Sequence, residues 1–178
     1  MTQSLSPTLA VGVIVRAHGI RGEVKIQPLT DQAEDWLSLH AVEWTDRQGA
    51  RVCRRVKHQR LQGSMVIAQL EGVYDRNAAE TLRGTELRVP RGQAPQLEQD
   101  RYYIVDLIGC QVEDETGAQL GQVTEVHQPG GNDVYEIHGN QGVYLMPAIR
   151  QVIREVDVKQ RRILVDSVRF SEVAVHED

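Results

Sequence analysis

Between Pro90 and Arg101 the chain reads PRGQAPQLEQDR, with two prolines, a glycine and polar residues that follow no core-facing period. Neither a continuous helix nor a central strand survives such a stretch, so the chain cannot be one uninterrupted layer. At 178 residues, a break there leaves two small units, each long enough to bury a core of its own. We expect a first domain over 9–90, a linker over 91–100 and a second domain over 101–170. Flexible ends are expected at 1–8 and 171–178.

Both halves carry short apolar alternations bounded by turn residues. In the first, Ala10–Arg16 and Gly22–Pro28 read as strands, and in the second of these Val24 and Ile26 alternate with Glu23, Lys25 and Gln27. Further strands are predicted at Ala41–Thr45, Arg51–His58, Met65–Leu70 and Glu86–Val89. One helix is expected where Asn77 can cap, Glu80 follows three residues later and Gly84 stops the run. A second helical piece is expected over Gln32–Leu39, behind the cap candidates Thr30 and Asp31. Beyond the linker, strands are predicted at Gly109–Glu113, Gln119–His127, Asp133–His138, Val143–Met146, Val152–Val158 and Arg162–Asp166. Glycine- or asparagine-bearing turns separate most of them. The fold class that follows is all-β: two small antiparallel β-barrels in tandem, joined by a short linker, with one or two short helices.

Composition narrows the function. Aromatic residues make up 4% of the chain, with Phe170 the single phenylalanine, so a row of platforms for stacking nucleic-acid bases is a poor expectation. The apolar run Leu9–Val15 is far too short to span a bilayer, and no basic segment precedes it, which makes the cytoplasm the expected compartment. Cys53 and Cys110 lie in separate units without CxxC spacing, and are expected as buried or partly buried free thiols. Residues 1–95 hold 13 basic and 10 acidic groups, and residues 96–178 hold 7 and 15, giving the halves +3 and −8. Two units that show a partner different faces would carry such charges, as would a solvated surface without a role.

No strong catalytic constellation is visible. The six histidines, at 18, 40, 58, 127, 138 and 176, lack HxxxH or HExxH spacing, so neither a metal nor a cofactor is expected. His18 sits in a glycine-bounded turn and reads more readily as a backbone-bonded turn residue than as a general base. Pro129–Asp133 reads as a hairpin turn, since no Lys-Ser or Lys-Thr follows its glycines. Glu113, Asp114 and Glu115 read as solvating a turn.

Two segments could meet a partner. Arg47, Arg51, Arg54, Arg55, Lys57 and Arg60 fall within fourteen residues that hold no acid. As a strand this places Arg51, Arg55 and Lys57 on one face, where they could touch RNA phosphates or merely keep the face soluble. Tyr102 and Tyr103 follow the linker directly. Adjacent strand side chains point to opposite faces, so one ring is expected inward and one outward as an interface anchor.

The opening GVIVRAHGIRGEVK, from Gly12 to Lys25, resembles the signature of the ribosome maturation factor RimM family. Tyr102–Gly109 (YYIVDLIG), Gly117–Val123 (GAQLGQV), Gly131–Tyr135 (GNDVY) and Leu145–Ile149 (LMPAI), leading to Val156 and Asp157, resemble its PRC-barrel domain. Matches run in the expected order from about residue 9 to residue 166. The resemblance implies a non-enzymatic factor that binds the immature small ribosomal subunit at its head, through a ribosomal protein there, and assists late maturation of ribosomal RNA. It also implies a barrel like the second domain of translation elongation factors, and a role for the paired tyrosines in ribosome binding. Tyr102, Tyr103, Asp106, Asn132 and Asp133 are the partner-binding candidates that follow; His18 and Arg21, in the intact HGIRGEVK motif, could shape a hairpin or face a partner. The tail DSVRFSEVA, from Asp166, departs from the family's usual glycine-leucine ending. A monomer is expected. Two rival readings are an RNA-binding protein acting through the Arg47–Arg60 strand, and an RNA-directed enzyme using His18, for which no acid-base partner is visible.

Overall fold

The computed structural model describes residues 5–30 and 32–177. The chain divides into two compact units, Pro7–Leu97 and a second from Glu98 onward.

The first unit is a closed six-stranded barrel. Its strands are β1 (Thr8–His18), β2 (Glu23–Pro28), β3 (Ala41–Thr45), β4 (Arg51–Gln62), β5 (Met65–Leu70) and β6 (Glu86–Pro90), hydrogen-bonded in the order β1-β2-β5-β4-β3-β6. β6 returns to β1, and β1 bends to serve both neighbours. Its register slips between Ile14 and Arg16 against β2 and between Ala10 and Gly12 against β6, as barrel closure requires. Val11, Ile14, Val24, Ile26, Val66, Ala68, Leu87 and Val89 fill the interior, and Trp36 on the short 3-10 turn Ala33–Ser38 is fully buried with them. Gly12 is there because of Ile26 first and that ring second: a Cβ at Gly12 would stand 2.6 Å from Ile26 Cγ2 and 3.1 Å from Trp36 Nε1.

α1 (Arg76–Thr81) follows β5 in the chain and packs against β1 and β2. Its cap is Asp75, not Asn77, and the Asp75 carboxylate accepts from the Ala78 amide at 2.8 Å. The helical piece near Trp36 starts after Gln32; of the two cap candidates there, Asp31 lies outside the described residues.

The second unit is a seven-stranded sheet. Its strands are β7 (Gln111–Asp114), β8 (Gln119–His127), β9 (Val134–Gly139), β10 (Gly142–Pro147), β11 (Ile153–Asp157), β12 (Arg162–Val165) and β13 (Val175–Glu177), in the order β11-β12-β7-β8-β9-β10-β13. The all-β class is as read from the sequence. One pairing differs from the antiparallel expectation, since β12 runs parallel to β7 with Ile163 opposite Val112. A separate core of Leu107, Cys110, Val112, Val123, Ile137, Met146, Ile163 and Val165 lies on its inner face. α2 (Ile104–Leu107) is a single turn after the tyrosine pair.

Several boundaries move. Arg91–Gln93 forms a short turn whose neighbour Ala94 packs on the first core, so this part of the expected linker belongs to the barrel. At the N-terminal end, residues 1–4 of the expected flexible segment lie outside the described residues, and Thr8 is already in β1. The expected flexible tail 171–178 is structured as far as residue 177; Asp178 lies outside the described residues. α3 (Ser167–Val173) buries Phe170, Asp166 caps it by accepting from the Arg169 amide at 3.0 Å, and β13 then pairs with β10. The acids at 113–115 do more than solvate a turn. Asp114 is buried and accepts from Thr116 and Ala118 amides at 2.8 and 3.0 Å, Glu113 pairs with Arg162 at 3.1 Å, and Glu115 accepts from the Ser167 amide at 2.8 Å. Both cysteines are free; Cys110 is buried as expected, but Cys53 is exposed on β4.

Candidate functional site

The second unit has a cleft of about 640 Å³ with Tyr102, Ile149, Ile153 and Val156 on its apolar walls and Tyr135 among its lining residues. Charge rings it. Arg150 pairs with Asp100 at 2.8 Å, Glu155 lies alongside, and Arg154 is held by Asp166. Asp100 takes a positive φ of 65°, the turn that leads the chain to Tyr102. Burial, then the charges of Asp100 and Glu155, push the Tyr102 phenol above its ordinary pKa. Tyr102 therefore presents a neutral, partly desolvated hydroxyl within a rim of mixed charge.

The two tyrosines do not split into one buried and one exposed ring. Both are half-buried, because the chain turns into α2 instead of continuing as a strand, and the Tyr103 carbonyl accepts from the Asp106 amide at 2.9 Å. Asp133 is brought to the same end as Tyr102: its carbonyl accepts from the amide of Ala148, which lines the cleft, at 2.7 Å. Asn132 is exposed beside it. Asp106 does not fit a partner surface. It is 4% exposed, and its carbonyl accepts from Arg161 at 3.2 Å and from the Cys110 thiol at 3.2 Å, so its place is in the packing of α2.

His18 and Arg21 lie in the other unit, at the β1–β2 turn. Gly22 shapes that turn with a φ of +83°. A Cβ there would come within 2.4 Å of the Val73 carbonyl. The turn leaves Ile20 77% exposed and Tyr74, next to Val73, 62% exposed. Neither was singled out from the sequence, because only the approach of Gly22 to Val73 brings the two segments together.

On β4, Arg51, Arg55 and Lys57 are all exposed. Arg51 is engaged by the buried Glu43 of the adjacent strand, and Arg60 forms a two-bond pair with Glu23. Lys57 is the extra residue of a bulge, since Val56 faces Leu70 while His58 faces Gln69. Among the described residues, Arg55 and Lys57 have no carboxylate partner, whereas Arg51 does. Elsewhere, Glu125, His127 and Glu136 gather where β8 meets β9.

Comparisons with known proteins agree along the chain. Residues 9–94 match the RimM N-terminal domain and residues 104–168 the RimM PRC barrel domain. A ribosome maturation factor RimM from Symbiobacterium thermophilum is 39% identical over 171 residues, covering 93% of this chain and 95% of that protein. One from Clostridium botulinum is 36% identical over 157 residues, covering 88% and 92%. A crystal structure of a RimM from Pseudomonas aeruginosa is 30% identical, with a TM-score of 0.46 over 89% of this chain and 96% of that one. With both domains matched in order over most of its length, the chain belongs to the RimM family of ribosome maturation factors.

Proposed function

We propose that the protein is a non-enzymatic assembly factor of the cytoplasm that binds the immature small ribosomal subunit at its head, through a ribosomal protein there. In this role it assists late maturation, including ribosomal RNA processing. The observation that carries the reading, beside family membership, is the Tyr102 cleft. Apolar walls can take a side chain, the rim offers both acids (Asp100, Glu155) and bases (Arg150, Arg154), and the net negative charge of residues 96–178 favours a cationic segment, as ribosomal proteins are basic. Those residues, with 7 basic and 15 acidic groups, would also speed encounter. Tyr102, Tyr103, Asn132 and Asp133 are the contact residues in this reading.

Contact with ribosomal RNA is a second reading, favoured by the exposed and carboxylate-free Arg55 and Lys57. Arg51 is a weaker phosphate ligand because Glu43 already holds it.

Co-sedimentation with immature small subunits, mature small subunits and naked ribosomal RNA separates the two. Selective binding to immature particles, lost in a folded Tyr102→Ala/Tyr103→Ala protein, supports the protein-docking reading. Equal binding to naked RNA, indifferent to the tyrosines and weakened by Arg55→Gln/Lys57→Gln, overturns it in favour of the RNA reading.

A further inference from the structure

The sequence holds the same short pattern twice, Glu125-Val126-His127 and Glu136-Ile137-His138, and the fold lays the two copies side by side on β8 and β9. Residues two apart on a strand share a face, so both glutamates and both histidines project from one side while Tyr135 and Ile137 are buried on the other. Glu125 is the direct cross-strand partner of Glu136. Like charges directly opposite oppose pairing, and a cation between them reverses that effect.

The donors are already close. His127 Nε2 lies 3.1 Å from Glu136 Oε2, and His127 Nδ1 lies 3.9 Å from Glu125 Oε1. One donor atom from each of Glu125, His127 and Glu136 falls within 4.8 Å of the other two. Two ligands of a tetrahedral zinc ion, bonded at about 2.0–2.1 Å, stand roughly 3.3 Å apart, so small side-chain torsions bring the three into range. His138 Nε2 bonds the other oxygen of Glu136 at 2.7 Å. Histidine is there placed as the outer partner of a ligating carboxylate.

The geometry points to a divalent transition-metal site of the zinc class, with Glu125, His127 and Glu136 as ligands, His138 orienting Glu136, and solvent in the open position. Imidazole in the donor set favours zinc over magnesium or calcium, which take oxygen ligands. Bound there, the ion ties β8 to β9 at the base of the loop over 128–133. The site is independent of the ribosomal reading, and its failure would leave that reading untouched.

The test is calorimetric titration of the untagged full chain with zinc chloride, beside Cys53→Ser, because the exposed Cys53 thiol is a competing donor. We expect one zinc per chain in both proteins, weakened at least about tenfold by His127→Gln/Glu136→Gln and by a smaller factor by His138→Gln. Zinc should raise the melting temperature of the parent but not of the double variant, and magnesium should do neither. Cobalt bound in its place should show ligand-field bands without thiolate charge transfer. Absence of saturable binding below about 1 mM zinc overturns the site. So does equal binding by a folded double variant, or loss of binding in Cys53→Ser.

Discussion

The indole N–H of Trp36 donates to the Val11 carbonyl at 3.0 Å inside the first barrel. Trp36 thus serves β1 as a hydrogen-bond donor and the core as a plug, with Gly12 kept bare beside Ile26 and the ring. Trp36→Phe should cost about 0.5–1.5 kcal/mol, the net worth of one hydrogen bond, since the Val11 carbonyl still accepts from the Leu29 amide at 2.9 Å. Trp36→Ala should cost about 3–5 kcal/mol by adding a cavity. Urea unfolding followed by circular dichroism measures both, and a Trp36→Phe protein as stable as the parent would show that the hydrogen bond contributes nothing.

Gly22 and Gly19 both have positive φ, 83° and 63°, yet their surroundings differ. Alanine at 19 meets nothing within 4 Å, whereas alanine at 22 runs into the Val73 backbone. Gly19→Ala should cost about 1–2 kcal/mol from the backbone alone, and Gly22→Ala distinctly more. Matching midpoints for the two variants would contradict the close approach of the turn to Val73.

Acid should loosen the β7–β8 turn. The Thr116 hydroxyl, then the amides of Ala118, Thr116 and Gly117, hold the Asp114 carboxyl below its ordinary pKa against the opposing effect of burial. A depressed folded pKa gives stability that is complete above the ordinary carboxylate range and is lost as pH falls through the folded value. Asp114→Asn should therefore narrow the stability difference between neutral and strongly acidic buffer, with its loss concentrated at neutral pH. An unchanged pH profile of the unfolding midpoint would count against this role.

Arg51 and Arg55, both on β4, should behave differently. Arg51→Gln strips the buried Glu43 of its partner and should lower the melting temperature, while Arg55→Gln, exposed and unpaired with any acid, should leave it unaltered. Thermal unfolding of the two single variants, side by side, decides this.

Much of the fold was legible because strand period and turn chemistry are local. The alternation over Glu23–Pro28 and the turn before Val134 needed no tertiary information. What escaped needed it. β13 is three residues long and becomes a strand only by pairing with β10. Ala94, in a stretch that looks like a linker, is drawn onto the first core. For the candidate site, sequence located Tyr102 but not Tyr135, Ile149 or Arg150, which reach the cleft from other elements. Asp106 looked like a surface carboxylate because residue type does not report burial. The two Glu-x-His triplets could have been noticed, yet only the register that sets Glu125 against Glu136 gives them meaning.

The parallel pairing of β12 with β7 bears on how the chain is made. β7 spans Gln111–Asp114 and its partner β12 spans Arg162–Val165, so one side of β7 stays open until nearly all of the second unit has left the ribosome. The first barrel meets a similar delay, since one side of β1 stays open until β6, which ends at Pro90, has been made. Synthesis thus exposes a bare strand edge late, a window for mispairing in crowded translation. Slowing elongation through the segment between β7 and β12 should lengthen that window without touching the mature fold.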